Sequence, residues 1–70
     1  MSDTRFDAAM AAAQRSGDWS EVISLYIEAA AKNDGAAFYL THAYVHALES
    51  DDPRAAELKT RLVALGAETP

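Results

Sequence analysis

Seventy residues with no cysteine and a net charge of −5 fit one domain, 1–70, and exclude both disulfides and a thiolate zinc site as sources of stability. A domain this small leaves much of its surface exposed, so it must pack closely or gain buried area by association. Six basic residues scattered among eleven acidic ones form no patch, which argues against nucleic acid and makes a basic or neutral protein surface the natural partner.

Alanine is the commonest residue, β-branched residues are isolated, and no segment alternates long enough for a strand, so the composition predicts helix throughout. The opening "MSDTRFDAAMAAAQRS" is interrupted by Arg5, Asp7, Gln14 and Arg15 and reads as a folded helix, not a secretory signal. That first helix runs from about Thr4 to Arg15, with Thr4 and Asp7 as a capping-box pair and Phe6, Ala9, Met10 and Ala13 on one face. Gly17 supplies a left-handed stop. Asp18 and Glu21 open the second helix, whose stripe is Val22, Leu25, Tyr26, Ala29 and Ala30, with Ile23 and Ile27 as a second ridge. Within "KNDG", Lys32 suits the negative helix end, and Asn33 and Gly35 tolerate positive φ.

The third helix runs from Gly35 or Ala36 to Glu49, capped by Asp34, with Ala37, Leu40, Tyr44, Ala47 and Leu48 on its buried face. In the fourth, Asp52 caps, Pro53 takes the first position, and Ala55, Leu58, Leu62 and Leu65 form the stripe before Gly66. Residues 67–70 read as a frayed tail. No run approaches the ~18 apolar residues of a membrane span. Connections of two to four residues make sequential helices antiparallel, which gives two hairpins in a row.

The chain also matches itself. A shift of 33 residues sets Val22 on Ala55, Leu25 on Leu58 and Ala29 on Leu62; a shift of 31 sets Ala9 on Leu40 and Ala13 on Tyr44. The repeats are then about 4–33 and 35–66. "GDWSEVISLYIEAA" resembles the second helix of a tetratricopeptide repeat, with Gly17-Asp18 as the turn, Trp19 and Tyr26 as the aromatics, Val22 as the small buried position and Ala29 as the close contact. "LYIEAAAKNDGAAFYLTHAYVHALESDDPRAA" is similar to the related Sel1-like repeat. Met10, Thr41 and Ala47-Leu48 depart from that pattern where glycine is usual. The resemblance implies an all-α fold of two antiparallel hairpins stacked as a short α-solenoid, a non-enzymatic protein-interaction role with no cofactor, and a bacterial, cytoplasmic setting. A bundle of alanine-rich antiparallel helices would show the same spacings.

Phe38, His42, Val45 and His46 fall on the third helix opposite its buried face, where the resembled family lines a concave peptide groove. The matching face of the first helix carries Asp7, Ala11, Gln14 and Arg15, with Asp7 and Arg15 as a rim pair of opposite sign. These eight residues are the expected partner-binding set. His42, His46 and Glu49 share a face and are a secondary metal candidate, although "HAYVH" lacks the glutamate of a metalloprotease helix and three ligands on one helix seldom converge. No nucleophile turn or glycine-rich phosphate loop occurs. Trp19 reads as a packing knob, and two repeats with uncapped ends predict a homodimer. A self-associating structural subunit is the remaining alternative.

Overall fold

The computed structural model describes residues 4–68. Among them are four helices and no strand: α1 (Thr4–Ser16), α2 (Trp19–Lys32), α3 (Ala36–Glu49) and α4 (Arg54–Ala64). Part of the expected tail, residues 69 and 70, lies outside the described residues. The helices pack in chain order, α1 on α2, α2 on α3 and α3 on α4, and no other pair of described helices brings its backbones together. The resulting slab measures 34 × 29 × 11 Å along its principal axes.

The helix ends explain why the chain turns where it does. After α1, the Asp18 amide donates to the Ala13 carbonyl at 2.9 Å and the Gly17 amide to Gln14 at 3.2 Å, around Gly17 at φ 71°. After α3 the same pair recurs: Asp52 to Ala47 at 2.8 Å and Asp51 to Leu48 at 3.3 Å, around Asp51 at φ 56°. The two turns therefore correspond at 34 residues, Gly17 with Asp51 and Asp18 with Asp52, instead of the 31 expected for the helices that precede them. Burial in α2 and α4 agrees with the 33-residue shift, since Leu25 and Leu58 are both buried, as are Ala29 and Leu62.

Asp51 carries a Cβ where glycine would be unstrained, because a left-handed L-residue brings its Cβ against the following carbonyl. Asp51→Gly is expected to stabilise the fold by roughly 0.5–1 kcal/mol. Chemical denaturation would show this as a higher midpoint with an unchanged slope. An unchanged or lower midpoint would mean that the turn gains nothing from glycine.

Helix starts depart from expectation in two places. The Asp18 carboxylate does accept the Glu21 amide, at 3.2 Å. Asp34, however, makes no cap: Gly35 is the residue before α3, at φ 80°, and no side chain bonds to that helix start. Its carbonyl instead accepts the Phe38 amide at 2.9 Å. Asn33 is extended, at φ −127°, with its side-chain amide donating to the Ala29 carbonyl at 2.9 Å. Thr4 is already helical, so the position that would cap α1 lies outside the described residues.

Two apolar clusters hold the slab. Met10 and Ala13 of α1 meet Val22 and Leu25 of α2, with Phe6 and Tyr26 at the margin. The larger cluster joins three helices, Ile23 and Ala30 of α2 to Leu40, Ala43 and Ala47 of α3 and to Leu58 and Leu62 of α4. Ala43 and Ala47 are fully buried, so the middle helix presents small residues to neighbours on two sides and lets both approach. Tyr26 alone belongs to the margins of both clusters. Leu48 and Leu65, expected in the buried stripes, are instead exposed; Leu48 faces away from the cluster and Leu65 sits at the end of α4.

One polar tie adds to this packing. The Arg54 guanidinium donates to both Asp52 carboxylate oxygens at 3.0 Å, to the Ser24 hydroxyl at 2.8 Å and to the Ser20 carbonyl at 3.0 Å. It thereby fastens the start of α4 to the first turns of α2. Asp52 also accepts the Arg54 amide at 2.9 Å, across Pro53, which is the residue before α4 and not, as expected, its first.

Candidate partner-binding face

Helices α1 and α3 both rest on α2 without packing on each other, and Tyr26 lies between them. Its ring meets Phe6 of α1 edge-on at 6.5 Å, and His42 and His46 of α3 at 5.2 and 5.8 Å. Tyr26 is thus the floor of a groove whose walls are α1 and α3.

The wall on the α3 side is a ladder of rings. Trp19 and Tyr26 stand two turns apart on α2, about 10 Å along its axis. The His46 imidazole fills that gap, nearly parallel to both: 5.5 Å and 12° from Trp19, 5.8 Å and 10° from Tyr26. One turn earlier, His42 lies 4.4 Å from Phe38 as well as against Tyr26. Its Nδ1 is 2.8 Å from the Phe38 carbonyl. A carbonyl only accepts, so Nδ1 carries the proton of that bond. The seven-residue spacing of Trp19 and Tyr26 is therefore the spacing needed to admit one imidazole. Rings pinned on two sides lose little freedom on binding, which makes this wall a preformed surface.

Beyond the ladder, α3 presents an apolar edge. Phe38 is 62% exposed, Val45 46% and Leu48 56%, and Thr41 is exposed between them. Positions 38, 41, 45 and 48 recur every three or four residues, so they line one side of the helix. The four residues expected on α3 are thus brought together in two roles: His42 and His46, half-buried, turn toward α2, while Phe38 and Val45 face outward.

The α1 residues are differently placed. Asp7 lines a cleft of about 600 Å³ with Arg5, Phe6, Leu25, Lys32 and Tyr39, where α1 parts from the end of α2. Ala11 is half-buried; Gln14 and Arg15 are exposed. Asp7 and Arg15 are eight residues apart on one helix, about 12 Å along its axis, too far to pair with each other. Among the described residues, ion pairs join Lys32 to Glu28 and Arg54 to Asp52.

His42, His46 and Glu49 do not converge as metal ligands: among the described residues no group of three or more His, Cys, Asp or Glu is placed to hold an ion. His46 is committed to its ring stack. Glu49 instead lines a notch of about 220 Å³ with Trp19, His46 and Ser50 at the end of α3.

The sequence assigns Trp19 and Tyr26 first to packing, with Trp19 as a ligand anchor the lesser reading, and Leu48 to the core. The seven-residue spacing on one helix and the His-x3-His spacing on the next are the signals that point to the ladder, since antiparallel neighbours place such sets opposite each other. No described helix is long and apolar enough to cross a membrane. Comparison of the chain with protein-family models, with curated proteins and with solved structures finds no match.

Proposed function

We propose that this chain is a non-enzymatic protein-interaction module, of the tetratricopeptide or Sel1-like kind that its sequence resembles. Its α1–α3 groove would receive a segment of a partner protein in the cytoplasm. The observation that carries this reading is the exposed apolar edge Phe38, Val45 and Leu48 beside a fixed ring ladder. Large apolar side chains lined up on one helix edge, rimmed by polar groups, mark contact surfaces more often than they mark solvated ones. The rigid rings behind them supply anchors of the type that dominates binding energy. The half-buried histidines and exposed Phe38 and Val45 form the contact, with Asp7, Ala11, Gln14 and Arg15 on the opposite wall. A second copy of the chain is the competing occupant, because the same edge could serve a two-fold contact.

The test is capture of partners from a lysate with the tagged chain and with the Phe38→Ala/Val45→Ala double variant, after matching the two for helicity and melting temperature. The double variant is expected to lose captured partner by about tenfold or more. Equal capture by both would remove this face from the function. Light scattering at micromolar concentration, run in parallel, identifies a dimer if the occupant is a second copy.

A further inference from the structure

The chemistry around the α3 edge selects among occupants of the groove, and this selection rests on the interaction reading above. We infer that the exposed α3 edge beside the groove takes an amphipathic helical segment whose apolar seam is flanked by lysine or arginine. One such basic side chain would seat in the notch between Trp19 and Glu49.

The seam is the first ground. Phe38, Thr41, Val45 and Leu48 repeat at the spacing by which one helix packs along another, and all four stay exposed among the described residues. Strand addition needs an open sheet edge, and the described residues contain no strand. A helix buries its own apolar row against such an edge and leaves no backbone group unsatisfied.

Charge is the second ground. Between Lys32 and Arg54 the sequence contains no lysine or arginine. Arg54 itself is engaged by Asp52 and the α2 serines. The acids Asp34, before α3, and Glu49 and Asp51, at its end, are exposed and form no ion pair among the described residues. The apolar row is therefore bracketed by negative charge at both ends, and the helix dipole adds a partial negative charge at the Glu49 end.

The third ground is the notch. It combines the Trp19 ring, 41% exposed, with the Glu49 carboxylate and the Ser50 residue in about 220 Å³. An indole face attracts a guanidinium or ammonium group through its quadrupole, and a carboxylate beside it completes the pairing. The Ser50 hydroxyl donates to the His46 carbonyl at 2.8 Å, which leaves its lone pairs toward a donor.

The same charges disfavour a second copy. An antiparallel two-fold contact of α3 with itself would bring Asp34 of one chain toward Glu49 and Asp51 of the other. A parallel contact would set like residues side by side. Neither arrangement places a cation between them, and each chain already carries −5.

The experiment is selection from a random-peptide display library on the intact chain, with the selected peptides then synthesised and titrated by the fluorescence of Trp19, the sole tryptophan. Selected peptides should carry lysine or arginine around apolar residues at helical spacing. Affinity should fall about tenfold in Glu49→Lys, and comparably in half-molar salt. It should fall about tenfold in Phe38→Ala. Selected peptides that are neutral or acidic, or affinity unchanged in Glu49→Lys, would overturn the basic-helix inference while leaving the interaction reading standing. A dimer in light scattering that excludes peptide would overturn it in favour of a second copy. A monomer that selects no peptide would overturn both readings.

Discussion

Leu40→Asp is expected to leave the chain unfolded at 25 °C, with helical circular dichroism lost and no cooperative melting transition. Leu40 is 1% exposed at the centre of the three-helix cluster, against Ile23, Leu58 and Leu62. A small domain has roughly 0.05–0.15 kcal/mol of stability per residue in hand. Truncating a buried leucine to alanine costs about 2–5 kcal/mol, and burying an unpaired carboxylate in its place costs more. The single change is thus of the order of everything that the domain holds. Leu48→Asp is the informative companion. Leu48 lies two turns along the same helix but is exposed, so its substitution should move stability by no more than about 0.5 kcal/mol. Wild-type helicity and melting in Leu40→Asp would refute the assignment of the core. Unfolding in Leu48→Asp would refute the orientation of α3.

The second large effect concerns Arg54. Replacing it with methionine keeps most of the aliphatic stem and removes the bonds to Asp52, Ser24 and Ser20. Arg54→Met is expected to lower the melting temperature at pH 7 by roughly 5–10 °C. The pH dependence gives a sharper test. Hydrogen bonds from the Arg54 guanidinium, and then from its backbone amide, hold the Asp52 carboxyl below the usual carboxylate range. The same bonds raise Arg54 above its usual value, so its charge persists throughout the accessible range. A carboxylate whose folded-state pKa is depressed contributes stability that is fully present above its unfolded value. That contribution disappears as the pH falls through the folded value. The gap in melting temperature between wild type and Arg54→Met should therefore be constant from pH 7 to about 5 and should narrow below about pH 4. A gap that widens in acid, or is absent at pH 7, would mean that the Arg54–Asp52 pair contributes no stability.

What could be read from the sequence divides along physical lines. All four helices were legible because each carries its own punctuation: Gly17 and Asp18, "KNDG", Pro53 and Gly66 act within a turn of themselves. The buried rows of α2 were legible because apolar residues of two ridges, around Val22 and Ile23, need two neighbours. Errors arose where a helix is apolar nearly all round. On α3, periodicity cannot say whether Leu48 or Ala43 turns inward, and the fully buried position fell to the smaller residue. The cap of α3 was misplaced because Asp34 and Gly35 are both competent to end the turn, and the left-handed geometry at Gly35 leaves the Asp34 side chain outside. The site is partly visible, since the four-residue spacing of His42 and His46 sets them on one face. What lay out of reach was their register against α2, a property of two helices that neither helix states alone.

The unequal clusters have a consequence for how the molecule opens. Among the described residues α1 brings its backbone against α2 alone, through the smaller cluster, whereas α2, α3 and α4 share the larger one. Detaching α1 leaves the three-helix cluster intact, so its amides can exchange with solvent through an opening that costs less than global unfolding. Tyr26 is the link between the two units, because its ring closes one cluster and borders the other. Undocking of α1 would uncover that ring and widen the groove over it. The width of the groove is accordingly set by a local equilibrium, and a ligand gripping both walls would slow amide exchange in α1 before it changed exchange anywhere else.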